Sequence, residues 1–162
     1  VQKDGATIPC SERHVPRPTA SNWLPPPVGY IKANCDGSWD HASKAEGQAL
    51  LDGLWLAKDN GFPKVIMETD SKVCFSAANN SLSCVKWPLF PIFHSINELR
   101  NSFDSLQWSW VPREANQAAD WVASQVKRGL CAEAWVNRPP TALVFILSRD
   151  GLPCPPPSSA LS

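Results

Sequence analysis

The sequence lacks the paired cysteines that mark a zinc finger or a disulfide-rich scaffold. Its 6 cysteines contain no C-x-x-C pair and are spread along the whole chain. Neither a structural zinc site nor a compact disulfide framework is therefore predicted. We expect reduced thiols, several of them buried, at Cys10, Cys35, Cys74, Cys84, Cys131 and Cys154.

An excess of one charge and long apolar runs are missing as well. The 15 basic residues match the 15 acidic ones, so a basic protein that coats nucleic acid is not indicated, although a local basic patch is compatible with this balance. No segment approaches the roughly 18 apolar residues that span a bilayer. The opening VQKDGATIPC has no apolar stretch of signal-peptide length. We therefore expect an intracellular protein, in nucleus or cytoplasm, without a membrane partner.

The sequence does contain enough apolar residues for one domain with a real core. Hydrophobic residues make up 43% of its 162 residues and charged residues 19%, which is typical of a globular protein of this length.

The centre of the chain predicts a strand–helix–strand unit. Tyr30–Asp36 alternates apolar and polar residues, as a half-buried strand does. Lys44–Asn60 repeats apolar residues every three or four positions, and Gly61 and Pro63 follow it, which predicts an amphipathic helix. Lys64–Met67 is a short apolar run typical of a buried central strand.

The rest of the chain predicts further helices and one more strand. Ser71–Ala78 and Phe90–Phe103 have helical patterns, and Leu106–Val111 alternates as a third strand. Asn116 is a favourable N-cap for a last helix that ends at Gly129.

Four acidic residues stand where these predicted elements begin or end: Asp36, Glu46, Asp70 and Asp120. The two strands of a strand–helix–strand unit run parallel, so their carboxyl ends meet at one edge of the sheet. Carboxylates forced together repel each other, and a hard cation that prefers oxygen ligands would neutralise them. The pattern predicts Mg²⁺ or Mn²⁺, and two ions about 3.5–4 Å apart could support phosphodiester hydrolysis.

Each acid also has an ordinary structural explanation. Asp36 before glycine is typical of a turn, and Asp70 before serine is typical of a helix start. Glu46 and Asp120 in the first turns of helices would interact favourably with the helix dipole. The residue types alone leave both explanations open.

Several ordered motifs resemble one known family. From Trp23 to Asp150 the chain resembles plant ribonuclease H-like domains, which are related to the type-1 ribonuclease H segment of non-LTR retroelements and are often described as reverse-transcriptase-like. The motifs that carry the resemblance are Trp23 with Pro25-Pro26-Pro27, Lys32–Ser38, Ala45-Glu46 with Ala49-Leu50 and Gly53-Leu54, Glu68-Thr69-Asp70-Ser71, Val111–Asp120, and Pro139-Pro140 with Asp150.

The resemblance implies an α/β ribonuclease H-like fold, with a sheet flanked by helices. It implies that the protein binds two divalent ions and cuts the RNA strand of an RNA–DNA hybrid. The implied catalytic and metal-binding residues are Asp36, Glu46, Asp70 and Asp120, and Arg113 and Asn116 are candidates for substrate contact. We divide the chain into a proline-containing linker (1–28), the ribonuclease H-like domain (29–137) and a C-terminal extension with a proline-rich end (138–162).

The sequence departs from the family between Asp36 and Glu46. The family inserts a hairpin there, the second and third strands of a mixed sheet, whereas this chain has nine residues, GSWDHASKA. We therefore expect a truncated sheet of about three parallel strands, whose first strand becomes an exposed edge open to self-association. The loop before Asp120 also lacks the histidine that many ribonucleases H have; His41 and His94 lie elsewhere.

Three classes of function remain open from the sequence. One is a metal-dependent nuclease on RNA–DNA hybrids, and another is a nucleic-acid-binding module that has lost turnover with the hairpin. The last is a structural or protein-interaction domain that recruits partners through its proline-rich ends and edge strand. Whether the shortened chain is active is also left open.

Overall fold

The computed structural model describes residues 23–37, 42–80, 82, 85–132, 135 and 137–152. In these ranges the α/β fold has three strands, β1 (Ile31–Cys35), β2 (Lys64–Thr69) and β3 (Ser105–Trp110). The α-helices of the same ranges are α1 (Ala42–Asp59), α2 (Lys72–Asn79), α3 (Phe90–Leu99), α4 (Gln117–Lys127) and α5 (Thr141–Arg149).

The three strands form one parallel sheet in the order β1-β2-β3. Ala33 pairs with Met67 on β2, and Met67 pairs with Trp108 on β3. Since helices connect parallel strands, the carboxyl ends of all three strands lie at the same edge. This confirms the predicted α/β architecture with three parallel strands.

One face of the sheet packs on α1 and α2, and α3 packs on these two helices to complete the core. Leu50 and Leu54 of α1 are completely buried, as are Val65 and Met67 of β2. These residues belong to one cluster that also contains Phe93 of α3. The spacing of Leu50 and Leu54 by one helical turn is what places both on the face that meets the sheet.

Helix ends follow the glycine signals in the sequence. Gly61 and Gly129 have φ values of +70° and +69°, a conformation that ends helices because it costs glycine little. The predicted helix Phe90–Phe103 is α-helical only to Leu99, and its last turn, Arg100–Ser102, tightens to a 3-10 helix. Such tightening is common at helix ends.

The segment from Trp23 to Tyr30 contacts the polar face of the sheet, opposite the core. The Tyr30 hydroxyl donates a hydrogen bond to Ser105 Oγ and accepts one from Gln107 Nε2, both 3.1 Å long. Trp23 Nε1 donates to Asn34 Oδ1 at 2.8 Å. The domain boundary at residue 28 stays a prediction, but these contacts tie residues on both sides of it to the sheet.

Helix α5 packs on α4 and buries Leu143. A cavity of about 740 Å³ lies beside β1, lined by residues of α1, α4 and α5 such as Ala49, Ala119 and Leu147. No helix in the described ranges is both long and apolar enough to cross a membrane. Residues 153–162, with the proline-rich end, and His41 lie outside the described residues.

Candidate metal centre

Three of the four predicted acids meet at the carboxyl edge of the sheet. Asp36 follows β1 directly and Asp70 follows β2 directly, so the parallel pairing of these strands brings the two residues together. Glu46 comes from α1, which begins at Ala42, so that Glu46 lies in the second turn rather than in the first. Carboxylate oxygens of Asp36, Glu46 and Asp70 all lie within 4.8 Å of one another.

A close backbone contact places Glu46 in this group. A Cβ atom at Gly37 would lie 2.2 Å from the backbone nitrogen of Glu46 and 2.3 Å from the carbonyl carbon of Ala45. Only glycine has no such atom, so residue 37 allows α1 to approach the end of β1. The Asp-Gly pair is therefore more than a turn signal, because the glycine sets the distance between two of the acids.

The start of α2 holds the Glu46 side chain. Ser71 is the N-cap of α2, where its hydroxyl oxygen accepts a hydrogen bond from the Cys74 backbone nitrogen at 3.3 Å. The Ser71 and Cys74 side chains also hydrogen-bond to the Glu46 carboxylate, with Cys74 Sγ 3.9 Å from Oε2. Burial raises the pKa of Cys74 to about 11, so its thiol keeps the proton it donates.

The electrostatics of the group oppose ionisation without a cation. Burial, together with the nearby Asp70 and Asp120 carboxylates, raises the pKa of Asp36 to about 6, while Arg113 acts in the opposite direction. Burial also raises the pKa of Glu46, partly offset by the hydrogen bond from Ser71. Clustered, partly buried carboxyl groups hold their protons more tightly, and a bound cation would reverse this.

One oxygen of the group is left without a protein partner. Asp70 Oδ1 is buried and accepts no hydrogen bond from any described residue. A buried carboxylate oxygen is costly unless something satisfies it. Three converging carboxylates and an unsatisfied oxygen fit a hard divalent cation, for which oxygen is the preferred ligand.

Asp120 lies beside this group but outside the set of three. It is in the first turn of α4, and its carboxylate acts on Asp36 through its charge and a side-chain hydrogen bond. The guanidinium of Arg113 donates a hydrogen bond to Asp120 Oδ1 and forms an ion pair with it. Asp120 is therefore close enough to influence the metal centre while an arginine partly neutralises it.

The two predicted substrate-contact residues differ sharply in exposure. The Arg113 side chain is 71% exposed although its guanidinium pairs with Asp120, so it is accessible from solvent. Asn116 is only 1% exposed, and both ends of its amide already make hydrogen bonds within the protein. It precedes α4 as predicted, but its side chain makes no capping bond with the described residues, because the amide is turned towards β1. Substrate contact by either residue stays a prediction.

Comparison with known proteins assigns the family. A family model described as "Reverse transcriptase-like" matches residues 32–126, which is more than half of the chain. The protein belongs to the reverse transcriptase-like family. The matched residues run from β1 into α4 and include all four predicted acids.

Two solved structures resemble this reverse transcriptase-like chain. One is the N-terminal RNase H domain of a Mycobacterium tuberculosis protein, solved as a fusion with maltose-binding protein; it has a TM-score of 0.51 and 24% identity and covers 55% of this chain. The chain spans 64% of that structure's length, less than two thirds. The other is RNase H1 from the archaeon Halobacterium salinarum NRC-1, with a TM-score of 0.48, 26% identity, and coverage of 54% of this chain and 67% of that one. The first likeness shows a ribonuclease H-like fold. A search of curated proteins finds no match.

Sequence reasoning missed the residues that support the acids. Ser71 and Cys74 hold Glu46, and the partly buried Asn34 donates a hydrogen bond to the buried Glu68 on the neighbouring strand. A sequence signal was available for Asn34 and Glu68. Residues two positions apart on a strand share a face, so Asn34 is expected on the same side of the sheet as Asp36, and Glu68 on the same side as Asp70. Nothing in the local sequence indicated Cys74, whose contact depends on how α1 and α2 pack.

Proposed function

We propose that the protein is a ribonuclease that hydrolyses the RNA strand of RNA–DNA hybrids, with divalent ions, Mg²⁺ or Mn²⁺, held by Asp36, Glu46, Asp70 and Asp120. The observation that carries the proposal is the convergence of three carboxylates, with one oxygen of each within 4.8 Å of the others, and one of them, Asp70, has a buried oxygen without a partner in the described residues. Membership of the reverse transcriptase-like family and the ribonuclease H-like fold support it.

The residues of the centre would have different roles in hydrolysis. Ions bound by these acids would supply a nucleophilic water and charge stabilisation for the leaving oxygen. Asp36 and Asp70, fixed at the ends of paired strands, set the ligand geometry, and Ser71 orients the Glu46 carboxylate. Arg113, exposed beside Asp120, is placed to contact a phosphate of the substrate. The exposed Lys72, two residues after Asp70, has its ammonium 5.2 Å from the Trp110 ring centre and offers a second cation to the phosphate backbone of the substrate.

The test is cleavage of a labelled RNA–DNA hybrid by the folded protein in Mg²⁺. We expect cleavage that EDTA abolishes, and that Asp70→Asn reduces about a hundredfold or more, because a ligand charge worth several kcal/mol is removed. Asp59→Asn, an exposed acid at the end of α1, is the matched control and should cleave at the native rate. Lack of cleavage by a chain that circular dichroism shows to be folded would refute the nuclease.

A second function is favoured by one contact. The ion pair between Arg113 and Asp120 occupies an acid that the nuclease needs for its ions. A hybrid-binding module without turnover would keep this ion pair, and it would bind hybrid in a salt-dependent manner with equal affinity in the presence of Mg²⁺ or EDTA. Binding of this kind without cleavage would select the module over the nuclease.

We also infer that the chain is a shortened form of its family, of plant and retroelement origin, that acts inside the cell. Four residues separate Gly37 from Ala42, the first residue of α1, too few for two strands of ordinary length. That spacing supports the deletion of a hairpin, and the motif resemblance supports the origin.

A further inference from the structure

A partly buried polar network lies next to the strand ends that carry Asp36 and Asp70, and we call it the strand-end network. Asn34 Nδ2 donates to Glu68 Oε2 at 2.9 Å and to Asn116 Oδ1 at 3.1 Å. Lys32 Nζ forms an ion pair with Glu68 Oε1 at 2.9 Å, although both side chains are 10% exposed or less. Trp23 Nε1 closes the network by donating to Asn34 Oδ1.

Each central member of the network lies on a segment that carries an acid. Asn34 is two residues before Asp36 on β1, and Glu68 is two residues before Asp70 on β2. Asn116 directly precedes α4, and its carbonyl oxygen accepts a hydrogen bond from the Asp120 backbone nitrogen at 3.1 Å. The network therefore joins three of the four backbone segments that carry the predicted acids, and the fourth is α1, which carries Glu46.

Asn116 is the member with the least freedom. It is 1% exposed, accepts a hydrogen bond from Asn34 and donates from Nδ2 to the carbonyl oxygen of Cys35 at 3.2 Å. Cys35 is the last residue of β1 and precedes Asp36. A buried amide that lost these partners would be unsatisfied, so the protein is held in the arrangement in which both bonds form.

We propose that Asn116 is a positioning residue that fixes the start of α4, and with it Asp120, against the carboxyl end of β1. Its amide joins the residue before α4 to the residue before Asp36. The consequence for metal binding rests on the proposed function, whereas the placement of α4 does not. Asn116 itself touches no metal, because its two amide atoms are already engaged within the protein.

The experiment compares Asn116→Ala with Gln125→Ala in the full chain. Gln125 is a matched control because its side chain is also a buried amide, with the residue 9% exposed. It lies within α4, and its side chain bonds to Ser124 of the same helix. Hydrogen exchange of the Asp120 and Trp121 amides is measured in metal-free protein, relative to amides of β2. Mn²⁺ affinity is measured by calorimetry on the same samples.

We expect Asn116→Ala to accelerate exchange at Asp120 and Trp121 and to weaken Mn²⁺ binding about tenfold, the loss typical of residues that support metal ligands. Gln125→Ala should leave both quantities within about twofold of native, even where it lowers overall stability similarly. If Asn116→Ala does not fold, Asn34→Ala removes the same Asn34–Asn116 bond and should shift both quantities in the same direction.

Exchange and affinity that stay native in a folded Asn116→Ala variant would overturn the proposal, as would equal effects of Gln125→Ala. Native protein that binds no Mn²⁺ would refute the proposed function and the metal consequence. The exchange measurement would still decide whether Asn116 places the start of α4, so the two failures can be told apart.

Discussion

Asp36 is an acid of the site whose pKa is raised by some neighbours and lowered by another. It is partly buried, it faces Asp70 and Asp120, and among the described residues the charge of Arg113 favours its ionised form. The folded protein therefore accepts an electrostatic cost at this position in the absence of metal. Residues that raise the energy of the empty site in this way are common where a ligand is bound.

The raised pKa of Asp36 predicts how stability depends on pH. In the folded protein its pKa is about 6, against an ordinary value of 3.8, so the folded state binds the proton more tightly than the unfolded chain. The stabilisation from this proton is present below the ordinary pKa and is lost as the pH rises through about 6. We expect the metal-free protein to have a lower urea midpoint at about pH 7.5 than at about pH 5, and Mg²⁺ to recover part of the difference.

Asp36→Asn provides the control for this pH dependence. The amide cannot ionise, so the variant should be more stable than the native protein at about pH 7.5, by about 1 kcal/mol after allowance for solvent screening, with a flatter pH profile. Mg²⁺ should no longer stabilise it. A variant whose midpoints follow those of the native protein at both pH values would contradict the electrostatic account.

At the residue scale, sequence identified the acids but not their surroundings. Asp36, Glu46 and Asp70 could be predicted to meet because strand ends and a helix start have readable local signals. The hydrogen bonds of the Asn116 side chain could not be predicted. Asparagine before a helix favours capping that helix, but here its amide donates to the carbonyl oxygen of Cys35. The choice depends on Cys35, which is remote in sequence and near only in the folded protein.

Among the elements, α1 links the core to the metal centre. Its inner face buries Leu50 and Leu54 completely, and its second turn presents Glu46. Packing of the leucines thus determines where the carboxylate lies, and the absence of a Cβ at Gly37 allows the close approach. Because α1 belongs to both the core and the site, a change in core packing would also move Glu46.

Substitutions on opposite faces of α1 should separate these roles. We expect Leu54→Ala to reduce the free energy of unfolding by about 2–5 kcal/mol, because a fully buried leucine leaves a cavity. Leu56→Ala, two residues further on and 66% exposed, should change it by less than about 0.5 kcal/mol. Urea denaturation followed by circular dichroism measures both, and similar losses would show that α1 packs differently.

The order of helices and strands was predictable as far as α4, but α5 follows the helix that was predicted to be the last, and the exact ends were less predictable. Periodicity located α1, β2 and α4 to within about two residues, and Gly61 and Gly129 marked helix ends through their positive φ. The helix after Phe90 was predicted about one turn too long as an α-helix. Apolar spacing continues through that turn, and the change to a 3-10 helix leaves no mark on the pattern.

For the whole molecule, the unusual feature is a sheet with an open side at β1. In the described ranges β1 pairs with β2 alone, Ile31 is 39% exposed, and the cavity of about 740 Å³ lies beside it. Exposed strand edges favour pairing with another chain unless charges or a covering segment prevent it. Self-association through β1 is thus a prediction from sequence that the structure leaves untested.

We expect sedimentation velocity to show concentration-dependent association of the native protein. Ile31→Lys should reduce it, since a charge on an edge strand disfavours strand pairing. Leu56→Lys, on the exposed face of α1, is the control and should associate as the native protein does. Equal behaviour of the two variants, or a monomer at every concentration, would exclude association through β1.

The parallel order of the three strands also determines how the chain must find its structure. In the described ranges residues 31–35 pair with residues 64–69, which pair on their other side with residues 105–110, so no hairpin between these strands can form early and guide the rest. Proteins dominated by such distant pairings fold slowly, because the entropy of closing long loops is lost before the contacts form. During synthesis β1 has no strand to pair with until β2 has been made. Asp120 is the last of the four acids in the sequence, so the candidate metal centre can assemble only after nearly the whole domain has been synthesised.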